Sequence, residues 1–440
     1  MDEALLAELS EWIAIPSISA DPDRAGEVLQ AGEWLCERIR AAGGEAELAD
    51  WDGHPLALGE IRASSGADSA PTVLCYGHFD VQPPAPLDLW ESDPFEAVIR
   101  GEWLYGRGVA DDKGQLYLLV KAAQELAAAG ALPVNLRFAC DGEEEVGGST
   151  IVRYLEAGEH GAAACVIFDS GYERRGLPAF AVGTRGLLDF QLRVRAGERD
   201  LHSGMYGNAA LNAIHALFQA LDGVLPRDGR LPDPLRAGIA EPTDEERAAW
   251  DEQPAGDDVL SNAGAAHYDP RAAEEFYRRT TAEPAIDVNG VIGGKPGLRN
   301  TTIPALAEAN FTVRLAPGQD PEAIAPEVER LVTEAAPASA DVELTLNNYS
   351  APGLVDPRSP AVQLGLEAFE RALGTRPLLV RSGGTLPIVA ALAEQGIPTV
   401  LTGISLPESN IHSPNERILV EYVPLGIAAA RELFTAWARL

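Results

Sequence analysis

The sequence predicts an α/β protein, a doubly wound mixed-sheet domain interrupted by an inserted ferredoxin-like α+β domain. Three observations predict it. Over residues 1–184, short and mainly apolar strand-like runs alternate with amphipathic helices, the pattern of strands buried on both faces. From about 185 the apolar residues Leu188, Phe190, Leu192 and Val194 alternate with polar neighbours, as in a strand with one exposed face. After Pro352 the first pattern returns. Residues 1–184 and 352–440 therefore read as one domain in two parts, and residues 185–351 as the insertion.

The elements follow in order. Helices are expected over 2–14 and 25–42, the second stopped by Gly43-Gly44. Strands follow near 46–50, 56–62 and 72–76, the last delivering Gly77-His78-Phe79-Asp80 at its end. A strand over 96–105 leads into the glycine-punctuated segment 106–114. The helix over 115–129 sets Leu116, Leu119, Val120, Ala123 and Leu126 on one face. An apolar strand, 134–140, runs into Asp141-Gly142-Glu143-Glu144-Glu145, and after a helix near 149–157 another, 164–168, ends at Asp169. In the insertion, strand 188–194, helix 208–222, strands 286–292 and 306–315, helix 320–335 and strand 341–349 give β-α-β-β-α-β. A Pro- and acid-rich excursion, 225–284, interrupts this order, with helices expected at 243–250 and 270–280. The closing part reads as helix 358–373, strand 377–380, helix 386–395, strand 398–401 and helix 421–438.

Composition narrows the function. With 34 basic and 67 acidic residues the net charge is −33. That argues against nucleic-acid or anionic-membrane partners. Cys36, Cys75, Cys140 and Cys165 form no C-x-x-C pair, and three stand inside apolar runs, so reduced buried thiols and a cytoplasmic setting are expected. No 18-residue apolar span appears, and no membrane anchor is expected.

Three apolar strands thus end in His, Asp or Glu, where open α/β sheets place their ligand crevices. Four acids within residues 141–145 repel one another unless a proton or cation offsets them; alone they would read as a solvated loop. His78 with Asp80 suits a metal-ligating imidazole and the acid that orients it, or a satisfied core histidine. Asp111-Asp112 precedes a helix, as a carboxylate shared by two cations or as an N-cap. Asp169 reads as an oxygen ligand or a turn residue. His412 stands in the polar loop Asn410-Ile411-His412-Ser413-Pro414-Asn415-Glu416, where a structural histidine has no evident role. Histidine and carboxylate ligands without thiolate suit zinc, with cobalt or manganese as substitutes. The six candidates exceed the needs of one zinc and suit two sharing a carboxylate.

The ordered set His78-Phe79-Asp80-Val81, Gly106-Arg107-Gly108 through Asp111-Asp112-Lys113-Gly114, Gly142-Glu143-Glu144-Glu145 and Ile411-His412-Ser413 resembles a di-zinc metallopeptidase family. That family contains carnosinase-type dipeptidases, glutamate carboxypeptidase, aminoacylase and succinyl-diaminopimelate desuccinylase. The resemblance runs nearly the whole chain. It implies one zinc on His78, Asp111 and Asp169, the other on Asp111, Glu145 and His412, a cis peptide after Asp111, Glu144 as general base, and Asp80 orienting His78. It also implies that the insertion is a lid and homodimerisation module, in which His202, within Asp200-Leu201-His202-Ser203-Gly204, stabilises the oxyanion. Asn289, Thr301, Arg314 and the turn Gly383-Gly384-Thr385 are implied substrate contacts, Arg314 clamping a carboxylate. Asp141 stands where the family often has Glu, and Thr385 where carnosinase-like members often have Ser. Asp169 in place of Glu fits the dipeptidase branch. Hydrolysis of a dipeptide amide bond by a metal-bridging water, with Glu144 as the base, is the function this implies; N-acyl-amino-acid deacylation is the alternative. A non-catalytic binding protein that has kept the fold is a remoter one.

Overall fold

The computed structural model describes residues 1–440 apart from 52, 53, 159, 160, 296, 298 and 299. The chain divides into two compact units: Met1–Val182, Val355–Val380 and Ala391–Leu440 form the first, and Gly183–Leu354 with Arg381–Ala390 the second.

The first unit is built on a mixed sheet. Its strands run in the order Glu45–Trp51, His54–Ile61, Asn135–Asp141, Thr72–Tyr76, Ala164–Phe168, Thr399–Thr402, Leu177–Thr184 and Leu378–Ser382. The four central strands, Asn135–Asp141 to Thr399–Thr402, are parallel to one another, and those before them pair antiparallel. The central strands are buried almost completely, Ala164–Phe168 throughout, which explains their mainly apolar sequences. Helices Ala25–Ala41, Lys113–Ala128, Pro360–Leu373 and Tyr422–Trp437 pack on the sheet or on one another. Because the strands are parallel, Tyr76, Asp141 and Phe168 end at the same edge, and the residues that follow them are gathered there.

The second unit is a four-stranded antiparallel sheet in the order Ala285–Gly293, Leu306–Leu315, Gly186–Arg195, Asp341–Ser350. Helices Ala213–Asp222 and Pro321–Ala335 cover its apolar face. This is the ferredoxin-like order expected from β-α-β-β-α-β. Leu188, Phe190, Leu192 and Val194 meet Ala309, Phe311 and Val313 in that core, and Phe190 stacks on Phe311 with ring centroids 5.2 Å apart.

Several elements depart from the sequence reading. The expected strand 96–105 is a hairpin, Val98–Arg100 and Trp103–Tyr105, turned at Gly101, whose φ of 61° is open to glycine. The hairpin Tyr172–Arg174 and Leu177–Thr184 and the strand Arg417–Leu419 add unforeseen strands. The helix expected at 208–222 starts at Ala213, because the Asn212 side chain accepts the Ile214 and His215 N–H groups as its cap. In the excursion Asp244–Trp250 is helical with a capping box, a further helix spans Gly256–Asn262, and the expected helix 270–280 is instead a π turn, Arg278–Ala282. The stretch Arg381–Ala390, read as part of the resumed first domain, groups with the second unit. There the buried Arg381 guanidinium pairs with Glu246 at 2.6 Å and donates to the Ala240 carbonyl. Among the described residues no helix is long and apolar enough to cross a membrane.

Candidate metal centre

At the carboxyl edge of the first unit's sheet, the run Thr72–Tyr76 hands over to His78, whose ring is fully buried. His78 Nε2 lies 3.0 Å from Asp111 Oδ1, and Nδ1 lies 3.3 Å from Asp80 Oδ1 and 3.2 Å from the Asp80 carbonyl. The Asp80 carboxylate also accepts the backbone N–H groups of Glu144 and Glu145, at 3.2 and 3.1 Å. One buried acid therefore fixes both the imidazole and the acidic turn. The other Asp111 oxygen, Oδ2, is 2.9 Å from His412 Nε2, which in turn is 3.0 Å from Glu145 Oε2. The Asp111-Asp112 peptide is cis.

Two groups of potential ligand atoms result, His78 with Asp111 and Asp169, and Asp111 with Glu145 and His412; within each, the atoms lie within 4.8 Å of one another. Imidazole and carboxylate donors, with Asp111 common to both groups, suit a pair of divalent cations of the zinc type. The electrostatics agree. Burial raises Asp169 well above the ordinary carboxylate range, and Asp111 adds to it. Burial also opposes ionisation of Asp111, but bonds to His412 and His78 outweigh it and hold that carboxyl low. Bonds to Asp111 and Glu145 push His412 up to about 10. Burial would lower His78, yet Asp111 and Asp80 hold it well above its usual value. Glu144, beside Glu145 in sequence, is pushed up to about 7 by burial; His78 draws it down, and Asp111, Glu145 and Asp80 add to the rise.

Three supporting residues act in ways the sequence reading did not foresee, Asp112 among them, which was read there with Asp111 as a shared ligand or an N-cap. Asp112 caps nothing with its side chain; its Oδ2 accepts the His78 N–H at 3.1 Å, and a Cβ on Gly77 would come within 2.5 Å of that oxygen. Gln82 donates to Glu145 Oε2 at 2.9 Å through its amide and to Oε1 through its backbone. Glu416 accepts from the turn that carries Asp111. Gln82 stands two residues beyond Asp80 and Glu416 four beyond His412, so proximity to a candidate ligand was the available signal.

The remaining candidates lie in the second unit. His202 is exposed, caps the short helix Ser203–Tyr206 by accepting the Gly204 N–H at Nδ1, and pairs in register with Thr302. Thr301 is beside it, its carbonyl accepting the Ser203 N–H. Asn289 is the extra residue of a β-bulge opposite Phe311 and Asn310, and is exposed. Arg314 Nη1 donates to Thr385 Oγ1 at 2.6 Å, next to the exposed Gly384.

Known proteins resemble this chain in sequence and in fold. Residues 74–436 match the family described as Peptidase family M20/M25/M40. A cysteinylglycine-S-conjugate dipeptidase of Corynebacterium striatum is 30% identical to this chain, covering 98% of it and 95% of the relative. A Cys-Gly metallodipeptidase of Schizosaccharomyces pombe is 28% identical, covering 97% and 94%. The crystal structure of an M20 family metallo-carboxypeptidase from Sulfolobus solfataricus superposes with a TM-score of 0.87 at 26% identity, covering 100% of both chains. The resemblance first read from four short motifs therefore extends over the whole fold, and the chain belongs to peptidase family M20/M25/M40, as an enzyme of the metallopeptidase class.

Proposed function

We propose that this chain hydrolyses the amide bond of dipeptides with a free C-terminal carboxylate, using two zinc ions. The observation that carries the reading is the pair of ligand groups sharing Asp111, with Glu144 and Glu145 on the turn beside them. The dipeptidase names of the two relatives support the substrate class.

In this reading His78, Asp111 and Asp169 hold one cation, and Asp111, Glu145 and His412 the other, with cobalt or manganese as substitutes. When bound, the cations supply an acidified water and a positive field for the scissile carbonyl. Glu144 takes the proton of the attacking water and returns it to the leaving amine, the two transfers a positioned carboxyl group can make. Asp80 keeps the His78 ring in place and fixes the backbone of Glu144 and Glu145. His202 donates to the oxyanion. Arg314, steadied by Thr385, takes the substrate carboxylate in its fork, with Asn289, Thr301 and Gly384 completing the contacts.

The second unit serves as a lid and as the dimerisation surface of a homodimer. The four cysteines are free and buried, in keeping with a reducing cytoplasm.

The test is turnover of metal-depleted protein reloaded with zinc, on Cys-Gly, β-Ala-His, other dipeptides and N-acetyl amino acids. Dipeptide hydrolysis that returns with the metal is expected. Turnover confined to the acylated amino acids would replace this reading with deacylation, and no turnover on either set would remove it.

A further inference from the structure

Glu416 lies on no strand or helix, yet it is fully buried and its carboxylate is the most heavily bonded near the candidate metal centre. It accepts from Arg107 Nη1 at 2.7 Å, from the Gly108 N–H at 3.1 Å to each oxygen, from the Ala110 N–H at 2.8 Å and from the Asp111 N–H at 3.1 Å. Its own carbonyl accepts the Gly106 N–H at 3.1 Å. The whole turn from Gly106 to Asp111 is therefore wrapped on one side chain more than 300 residues away in sequence.

The neighbouring loop is equally constrained. His412 and Asn415 hold positive φ angles of 61° and 60°, the Asn410 amide donates to the Asn415 carbonyl, and Arg417–Leu419 pairs with Trp103–Tyr105. Glu416 thus joins the segment carrying His412 to the turn carrying Asp111, whose side chains meet at 2.9 Å.

We infer that Glu416 is a positioning residue for the metal centre, setting where Asp111 stands relative to His412. The inference rests on the two-cation reading above. A carboxylate suits this place because every donor aimed at it is an N–H, and Arg107, itself buried, balances its charge. An amide at the same position would turn an NH2 group onto these donors and force the turn to move. Because Asp111 belongs to both ligand groups, its displacement weakens both cation sites together.

The experiment titrates zinc into metal-free wild type, Glu416→Gln and Leu433→Ala, the last a buried core variant whose side chain belongs to neither ligand group. Chelator competition reads affinity and stoichiometry. Wild type is expected to bind two zinc ions, Glu416→Gln to bind both about 10- to 100-fold more weakly, and Leu433→Ala to bind as wild type. Should Glu416→Gln not fold, Glu416→Asp, which keeps the charge on a shorter arm, is measured in its place and is expected to show the same joint loss in smaller degree. Wild-type affinity in the Glu416 variant, loss at one site only, or equal loss in Leu433→Ala would overturn the inference and leave the two-cation reading standing. Failure of wild type itself to bind two zinc ions would overturn that reading, and the inference with it.

Discussion

The two units hold their candidate residues in opposite ways. In the first, His78 and Asp80 are fully buried, Asp111 nearly so, and each is tied to two or more partners at the carboxyl edge of the sheet, with His412 the exposed member. In the second, His202, Asn289 and Thr301 are exposed at a strand edge and a bulge, and Arg314 rests on Thr385 with no carboxylate ion pair among the described residues. The difference is one of cost. Converging charges taken out of water must be compensated by hydrogen bonds or by a cation, so the first unit surrounds them with donors such as the N–H groups of His78, Glu144 and Glu145. Solvated groups need no such support and remain free to follow a substrate.

The comparison is broken most sharply by Glu144→Gln. If the first unit supplies the chemistry, kcat falls about 100- to 10,000-fold while zinc content by elemental analysis stays at the wild-type level. A variant that keeps wild-type kcat would remove the general base from this site.

A smaller effect is expected from the second unit. Arg314→Ala raises KM about 10- to 100-fold for dipeptides with a free carboxylate, the loss of a charged hydrogen-bonded pair, and leaves C-terminally amidated substrates unchanged. Steady-state kinetics on matched free and amidated dipeptides reads this; an equal effect on both would make Arg314 structural.

A different readout, stability against pH, separates the units without reference to catalysis. All four cysteines lie in the first unit. Burial pushes Cys36 up to about 12 and raises Cys75, Cys140 and Cys165 well above the usual thiol range. Above the ordinary thiol pKa of about 8.5 the unfolded chain releases these protons and the folded chain keeps them. Stability is therefore complete below that pH and declines above it, by at most about 1.4 kcal/mol per pH unit for each thiol. Thermal melts in reductant at pH 8, 9 and 10 are expected to move the first unit's transition down, with a shallower slope in Cys36→Ala. A decline confined to the second unit would contradict this.

Much of this arrangement could be read along the chain. Buried parallel strands need mainly apolar runs, so 72–76, 134–140 and 164–168 declared themselves, and the polar residues after them marked the sheet edge. Alternation located the half-exposed sheet of the second unit, whose strand order followed from β-α-β-β-α-β. Short-range punctuation was less legible: Gly101 turned an expected strand into a hairpin, and Asn212 moved a helix start by five residues. The π turn at Arg278–Ala282 has no periodic signal that distinguishes it from a helix.

The order of apolar runs and the residues that close them is local information, and local information gave the two-unit plan and pointed to candidate ligands, while the candidate base came from the family resemblance. Only the folded chain decided that Glu416 clasps the turn of Asp111, that Gln82 holds Glu145, and that Arg381–Ala390 belongs with the second unit. Such contacts link segments remote along the backbone, and a hydrogen bond depends on distance and direction in space, which neither spacing nor composition encodes.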